Sequence, residues 1–487
     1  MRDKTSNTGY PAASSGLAKN SFWGLVSTLF QGLFVSLFFV LLARKYSTAE
    51  FANFLIATSI YQLVVAFSSM GLGQWFIREF KQQTDSSGFT RKFLKIQIGL
   101  GCIFYLITIC LSFILYPAGE IRLLIILLGT NVIFDNLIYA IRNLNIAESK
   151  QKQTAIILFI DGFLKFLIAC LLIIYPFSVI LLSVLIIIVR IVTLNLFIKL
   201  GSSHDISFKN LWHSKVLLFD LKRQILLNWQ FVIIGGVSII YWRISTILIS
   251  KTLTLQDVTD YEVSYKLFSI FFIIPSVASA SIYPLFIRYF KSQDYTALRN
   301  LYNKITVAYM LFAMLSYAFI FSFAYIIIPF AFGNNYSGAV ISVKLMFLTF
   351  LIFPSIVLQA NLIVAMRLEK MDMWFNVICL VIISAGSIIG LYFYKSLAVI
   401  NYSIFFAFII FHILQDILLV KKKMTSSKNC ILVYLILTFF IFIYQYSANN
   451  FNPYFVFPLF SIMLISFTLV FYKFKGVLRL KQSLPLI

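Results

Sequence analysis

Long runs of apolar residues, each followed by a short polar break, recur along the chain from Ser21 to Tyr472. A helix needs about 20 apolar residues to cross the hydrocarbon layer of a bilayer, so each run predicts one spanning helix. The runs do not alternate between apolar and polar positions, as the strands of a membrane barrel would. The pattern therefore predicts an all-α polytopic membrane protein.

Charged residues and Pro or Gly breaks divide these runs into about fourteen spans. We place them near residues 21–43, 52–76, 93–116, 121–140, 154–175, 178–198, 225–250, 257–285, 305–328, 340–364, 374–394, 397–420, 430–448 and 454–472. An even number of spans puts both ends of the chain on one side of the membrane.

The distribution of basic residues predicts the orientation, because Lys and Arg in short loops remain cytoplasmic. With the N-terminus inside, 30 of the 40 basic residues fall in inside segments. Six fall in outside loops or at outer span ends: Arg44, Lys45, Arg122, Lys251, Lys344 and Lys395. Both termini are therefore expected to be cytoplasmic. The net charge of +23 reflects this topology and contact with anionic membrane lipid, and no nucleic-acid-binding motif is present.

Composition and motifs narrow the function to transport. Apolar residues make up 61% of the 487 positions and charged residues 12%, which excludes a water-soluble domain. The five cysteines lack metal-ligand spacing, and neither a GxxxxGK[ST] loop nor a GxSxG motif occurs. The longest outside loop, 329–339, is too short for the catalytic residues of a polymerase or glycosyltransferase. We expect a secondary transporter without metal or cofactor, not an enzyme.

Three inside segments, near residues 77–92, 199–224 and 286–304, are long and basic and mix charge with apolar residues. Each is either an amphipathic helix in the headgroup layer or a solvated loop.

A weak repeat also appears at an offset of 207 residues, where RKYSTAEFANF (44–54) aligns with KTLTLQDVTDY (251–261). It pairs the first outside turn with the fourth, as two six-helix halves of equal orientation would.

Four basic residues fall inside predicted spans, where an ionisable side chain is costly unless it faces protein or water. Arg243 lies deepest, in the seventh span, and either pairs with a neighbouring helix or contacts an anionic substrate. Lys266 lies near the outer end of the eighth span, where it either snorkels to the surface or acts with Arg243.

The other two basic residues belong to a group with two acids. Asp161 and Lys165 are four residues apart in the fifth span and so share a helix face. Asp135 in the fourth span and Arg190 in the sixth are neighbours that can join them. The group is interpreted either as a neutral structural pair or as part of a proton or ion relay.

Several segments together resemble one known family. They are KNSFWGLVSTLFQGLFVSLFFVLLARKYSTAEFANF, SSMGLGQWFIRE, the stretch from WRISTILIS to DVTDYEVSYKL, and FGNNYSGAVISVKLM. Their order and spacing across roughly residues 18–420 resemble the polysaccharide transporter branch of the multidrug/oligosaccharidyl-lipid/polysaccharide (MOP) exporter superfamily, especially the Wzx-type O-antigen flippases.

The resemblance implies two six-helix halves around a central cavity, with two further helices at the C-terminus. The corresponding segments are a cytoplasmic tail (1–20), an N-terminal half (21–200), a basic amphipathic linker (201–224), a C-terminal half (225–420), and the last two helices with a cytoplasmic tail (421–487). Spans one, two, seven and eight would line the cavity. The last two helices have no assigned role.

The substrate implied by the resemblance is an undecaprenyl-pyrophosphate-linked oligosaccharide, flipped from the cytoplasmic to the periplasmic leaflet of a bacterial inner membrane. A pyrophosphate in a bilayer needs fixed cations, for which the candidates are Arg243, Lys266 and Arg44. The candidates for sugar contacts are Tyr241, Trp242, Tyr261 and Tyr265. The polysaccharide polymerase and chain-length machinery are candidate partners.

The chain departs from the family in one respect that concerns the site. Many members carry Arg-x-Asp in the seventh span, whereas here Arg243 is followed two residues later by Ser245. A carboxylate-based ion site at that position is therefore in question. Lipid II transport and multidrug export, both within the same superfamily, are the main alternative functions, although a cationic drug would favour a more acidic set of buried charges. A membrane O-antigen polymerase or glycosyltransferase is a further alternative, against which the short outside loops argue.

Overall fold

A computed structural model describes residues 13–80, 82–116, 119–201 and 218–482. These residues form helices joined by short turns, with no strand among them. The helices are α1 (Ala13–Lys45), α2 (Thr48–Ser68), α3 (Leu72–Phe80), α4 (Ser86–Leu115), α5 (Glu120–Gly129), α6 (Asn131–Ala147), α7 (Gln151–Ile174), α8 (Val179–Leu196), α9 (Leu218–Thr252), α10 (Leu255–Lys291), α11 (Tyr295–Phe332), α12 (Ala339–Phe350), α13 (Phe353–Ala365), α14 (Glu369–Phe393), α15 (Leu397–Lys421), α16 (Ser427–Asn450) and α17 (Pro453–Gln482).

The predicted all-α membrane fold is confirmed. Within the described ranges, 11 spans are long and apolar enough to cross a membrane. Two of them are built from consecutive helices, α5 with α6 and α12 with α13. In the second pair the break precedes Pro354, which lacks the backbone N–H that would bond to the carbonyl of Phe350 in a continuous helix. Each predicted span except the second coincides with one helix or one such pair.

Two of the three basic inside segments lie almost wholly within the described residues. The second span ends at Ser68, because Met70 and Gly71 adopt positive φ angles of 49° and 61°, and a separate short helix, α3, follows. No separate helix occupies 286–304, since α10 continues to Lys291 and α11 begins at Tyr295. Most of the predicted linker, residues 202–217, lies outside the described residues, as do residues 1–12.

The chain divides into two compact units. Unit 1 comprises residues up to 39 and 64–232, and unit 2 comprises 40–63 and 233–487. The division therefore falls inside α1 and α2, whereas the sequence suggested halves at 21–200 and 225–420. The last two helices belong to unit 2, where both pack against α11.

Unit 1 has an apolar core formed by α3, α4, α6, α7 and α8. Phe76 of α3 stacks on Phe93 of α4 with ring centroids 4.3 Å apart, which anchors the short helix to the unit. Both rings are nearly inaccessible to solvent. Burial of such large aromatic rings supplies much of the packing energy of a core.

Unit 2 contains a close glycine-mediated helix contact between α14 and α15. A Cβ atom on Gly390 would lie 2.4 Å from Cγ1 of Val399, and one on Gly386 would lie 3.2 Å from Oγ of Ser403. The GxxxG spacing therefore creates the surface on which α15 packs.

The last spans are joined to unit 2 by hydrogen bonds as well as apolar contacts. The hydroxyl of Tyr444 in α16 donates to the carbonyl of Ala318 at 2.9 Å and lies 2.6 Å from Oγ of Ser322. The amide of Gln445 donates to the hydroxyl of Tyr317 at 2.7 Å. These polar contacts hold α16 against α11 in an environment where unpaired polar groups are costly.

Candidate functional site

Arg243 lies inside α9 and forms an ion pair with a neighbouring helix of unit 2. Its Nη1 atom is 2.9 Å and 3.0 Å from the two carboxylate oxygens of Glu262 in α10. The Arg243 guanidinium also lies 5.0 Å from the ring centroid of Tyr265. The side chain of Arg243 is 13% exposed and that of Glu262 is 3% exposed. The deepest predicted cation therefore has a buried anionic partner.

Glu262 is held by more than the arginine. Its carboxylate accepts hydrogen bonds from the hydroxyls of Thr246 at 2.6 Å and Ser59 at 3.3 Å. Glu262 is not among the candidate residues that the sequence pattern indicated. The available signal was a carboxylate at membrane depth, four residues before Lys266 and thus on the same helix face. Glu262 also supplies an acid beside Arg243, although residue 245 is a serine.

Lys266 follows Glu262 on α10 and interacts electrostatically with both Glu262 and Arg243. Its side chain is partly exposed. The three residues together contain two cations and one carboxylate. This group, which we call the α9–α10 charge cluster, therefore carries a net positive charge when all three are ionised.

Arg44, the third predicted substrate-binding cation, occupies a different position. Its side chain is exposed at the end of α1, where Nε donates to the carbonyl of Ala331 at 2.7 Å and Nη2 donates to the carbonyl of Phe330. These are carbonyls of the last turn of α11, at the negative end of the helix dipole. Arg44 thus caps α11, and the structure does not bring it to the α9–α10 charge cluster.

Of the four aromatic residues proposed for sugar contacts, Tyr265 lies against Arg243. Tyr241 instead contacts Asn376 and Phe408. Trp242 stacks on Tyr265 with centroids 4.9 Å apart. The Tyr241 hydroxyl donates to Oδ1 of Asn376 at 2.5 Å, and the Tyr261 hydroxyl donates to the carbonyl of Trp242 at 3.2 Å. Of these four, only Tyr265 is partly exposed, so in this conformation the other three are engaged by protein neighbours.

The second predicted group lies in unit 1, and the structure brings all four of its members together. Asp161 accepts from Nζ of Lys165 at 2.7 Å and from Nη1 of Arg190 at 3.3 Å. Nε of Arg190 lies 3.2 Å from Asp135. Thr193 donates a further hydrogen bond to Asp161 at 2.9 Å. These four side chains comprise two acids and two bases, and Arg142 interacts electrostatically with the group.

A third buried polar group lies on α15. His412 and Asp416 are almost fully buried, at 3% and 7% exposure. His412 Nε2 lies 2.6 Å from Ser355 Oγ, and Asp416 accepts from Gln359 at 2.8 Å and Tyr434 at 2.8 Å. They are therefore satisfied within the protein and connect α13, α15 and α16.

No cluster of His, Cys, Asp and Glu suited to a metal ion occurs in the described part of the chain. The chemistry available in the α9–α10 charge cluster is reversible electrostatic binding. An arginine paired with a carboxylate can exchange that partner for a phosphate, whose oxygens accept from the guanidinium N–H groups. In the network of unit 1, by contrast, Asp161 is bonded to two bases at once and Arg190 to two acids.

Comparisons with known proteins give one sequence family and one shared fold. A family model described as "Polysaccharide biosynthesis protein" matches residues 17–290. No curated protein sequence matches the chain at a significant level.

Several solved transporter structures share the fold. An inward-facing multidrug resistance MATE family transporter of the MOP superfamily has a TM-score of 0.67 and 12% identity, covering 82% of this chain and 96% of its own. An outward-facing MATE transporter has a TM-score of 0.59 and 12% identity over 88% and 100%. A MOP superfamily transporter from Pyrococcus furiosus, described as having reverse binding-pocket polarity suggestive of a different function, has a TM-score of 0.59 and 13% identity over 88% and 100%.

Proposed function

The chain belongs to the polysaccharide biosynthesis protein family, and from this membership we propose that it is a flippase for a lipid-linked oligosaccharide. The match covers residues 17–290, which include most of the helices that carry the candidate residues. The shared fold of MOP transporters supports transport rather than catalysis. Family membership is the observation that carries the proposal.

The proposed substrate is an undecaprenyl-pyrophosphate-linked oligosaccharide, such as an O-antigen repeat unit. Its headgroup is anionic, and the α9–α10 charge cluster supplies two cations against one carboxylate. Transport would run from the cytoplasmic to the periplasmic leaflet of a bacterial inner membrane, with both termini cytoplasmic. The excess of basic residues in the inside segments supports this orientation.

In this proposal Arg243 is the residue that binds the pyrophosphate. When the substrate is absent, the guanidinium of Arg243 bonds to Glu262, so neither residue is a buried charge without a partner. When the substrate enters, its phosphate oxygens replace Glu262, and Lys266 contributes a second charge. Tyr265, stacked on Trp242 and partly exposed, is the aromatic residue available to the first sugars.

Because Arg243 is paired with Glu262, a test of its binding role must remove both charges together. Arg243→Ala alone leaves a buried carboxylate without its cation, so lost activity would not separate binding from folding. The double variant Arg243→Met/Glu262→Gln removes both charges and should restore the amount of protein in the membrane. Its flipping should still fall about thirtyfold or more, as expected for a lost charge-assisted contact worth ~2 kcal/mol. Arg243→Lys should retain part of the activity, because lysine keeps the charge without the bidentate geometry.

The measurement is surface polysaccharide in a flippase-null strain, normalised to the protein in the membrane. Lys395→Ala, an exposed residue between α14 and α15, is the matched control and should behave as wild type. If the double variant flips at the normal rate, Arg243 only balances Glu262, and the proposed binding role is wrong.

A further inference from the structure

Two adjoining cavities open at one end of unit 2, where the connections between its helices meet. The first has a volume of about 490 Å³, and its walls include Phe290, Met366 and Leu368 together with Arg299, Lys422 and Lys423. The second, of about 430 Å³, shares Arg299 and Lys423 with the first and adds Asn303, Thr425, Ser426 and Asn429. Both cavities therefore combine apolar and polar lining, and two cations, Arg299 and Lys423, lie at their common wall.

The common wall is held by a contact between two connections. The guanidinium of Arg299 in α11 donates through Nη2 to the backbone carbonyl of Lys423, which lies in the turn between α15 and α16. Lys423 itself has a positive φ of 59°, and its N–H bonds to the carbonyl of Val420 at 2.9 Å. Since a guanidinium carries five N–H donors, this bond leaves others for a ligand.

The charged residues that line the two cavities are all positive. Arg299, Lys422 and Lys423 line the cavities, whereas no carboxylate is among the lining residues of either. Among the residues that the structure describes, Lys422 and Lys423 have no acidic partner. The N-terminus of α16, capped by Ser426, begins at the second cavity and adds the positive end of a helix dipole.

We propose that these adjoining cavities bind the headgroup of an anionic phospholipid, with the phosphate between Arg299 and Lys423. A connection between two spanning helices lies at the level of the lipid headgroups, where basic pockets between helices recognise anionic lipids. The apolar wall formed by Phe290, Met366 and Leu368 suits the glycerol and upper acyl region. A free phosphate would use the cations but not this wall. The site is separate from the α9–α10 charge cluster and does not depend on the proposed flipping activity.

The test uses the purified full chain in an uncharged detergent. Phosphatidylglycerol, phosphatidylcholine or inorganic phosphate is added, and bound lipid is counted by native mass spectrometry alongside thermal unfolding. The main variant is Lys422→Gln/Lys423→Gln, which removes two charges but keeps the backbone carbonyl that accepts from Arg299. The matched control is Lys291→Gln/Lys421→Gln, which removes two exposed charges that do not line either cavity.

The expected result is that phosphatidylglycerol binds and stabilises the wild type and the control more than phosphatidylcholine does. In Lys422→Gln/Lys423→Gln the affinity for phosphatidylglycerol should fall about tenfold or more, since each basic residue near a membrane surface contributes appreciably to anionic-lipid binding. Equal losses in the two double variants would overturn the proposal, because only general charge would matter. So would equal binding of both lipids, or the same stabilisation by inorganic phosphate, which would indicate a free-anion site.

Discussion

Asp161 illustrates how a charge is accommodated inside a span of this protein. Its side chain is fully buried, and it accepts hydrogen bonds from Lys165, Arg190 and Thr193. Removing one partner of such a group leaves an uncompensated charge, which costs about 3–5 kcal/mol in buried pairs. Because Arg190 also bridges Asp161 to Asp135, exchanging Asp161 with Lys165 would bring a lysine against Arg190. Charge-balanced removal is therefore the informative experiment.

We predict that Asp161→Asn will reduce the amount of protein in the membrane more than Asp161→Asn/Lys165→Met does. The single change leaves Lys165 without the carboxylate that bonds it, whereas the double change removes both members of that pair and keeps the Arg190–Asp135 pair. If the network is structural, the double variant should also transport at close to the wild-type rate per molecule. Membrane abundance and surface polysaccharide are measured together. A double variant with normal abundance and no transport would instead identify an ion relay.

At the scale of helices, the weak repeat coincides with a shared local structure. Ser47 and Glu50 form a reciprocal capping box at the start of α2, with Oγ of Ser47 donating to Glu50 at 2.7 Å and accepting from its N–H at 3.3 Å. Thr254 and Asp257 form the equivalent box at the start of α10. The residues aligned at the offset of 207 therefore have the same local role: they accept hydrogen bonds from backbone N–H groups that are otherwise unsatisfied at the start of a helix. Glu50 and Asp257 align because each carboxylate accepts a hydrogen bond from the backbone N–H of the capping residue.

The contact between α14 and α15 leads to a stability prediction. Gly390→Ala should destabilise the protein by roughly 1–3 kcal/mol, because the new methyl group would meet Val399 at 2.4 Å. Adding Val399→Ala removes the clashing Cγ1 and should recover much of that loss, since Cβ of Val399 is 3.7 Å away. Thermal unfolding in detergent is the measurement.

Gly99→Ala serves as the control for that experiment. Gly99 lies in α4, and an added Cβ there meets no atom within 4 Å. Alanine has a higher helix propensity than glycine, so this change should leave stability equal or slightly raised. A loss at Gly99 as large as that at Gly390 would show that the effect does not come from the α14–α15 contact.

For the whole molecule, membership of the polysaccharide biosynthesis protein family and the fold shared with known transporters confirm the sequence-based resemblance to the MOP superfamily. The multi-pass membrane character is likewise confirmed. The orientation in the membrane stays a prediction, since it rests on the 30 basic residues in inside segments against six outside.

The orientation can be tested with single cysteines in a variant that lacks the five native ones. Ser337 and Ser427 are both exposed, and they lie on predicted opposite sides. A membrane-impermeant thiol reagent added to intact cells with a permeabilised outer membrane should label Ser337→Cys and leave Ser427→Cys unlabelled. Lysed membranes, in which both should react, provide the control. Labelling of Ser427→Cys alone in intact cells would reverse the topology.

The sequence by itself determined the all-α membrane fold, the approximate spans and the family. It could do so because a bilayer imposes a constraint along one dimension: each crossing requires a sufficient length of apolar residues, whatever its neighbours are. It also identified Arg243, Asp161 and their neighbours as costly charges at depth. The Asp161–Lys165 contact was accessible from sequence because residues four apart share a helix face.

Only the tertiary structure decided what those charges meet on other helices. The pairing of Arg243 with Glu262, the bridge from Arg190 to two carboxylates and the capping of α11 by Arg44 all depend on how helices are rotated and docked. The burial of His412 and Asp416 depends on α16 covering them through Tyr434. Apolar periodicity leaves these choices open, because in lipid most helix faces are apolar and close packing selects which faces meet.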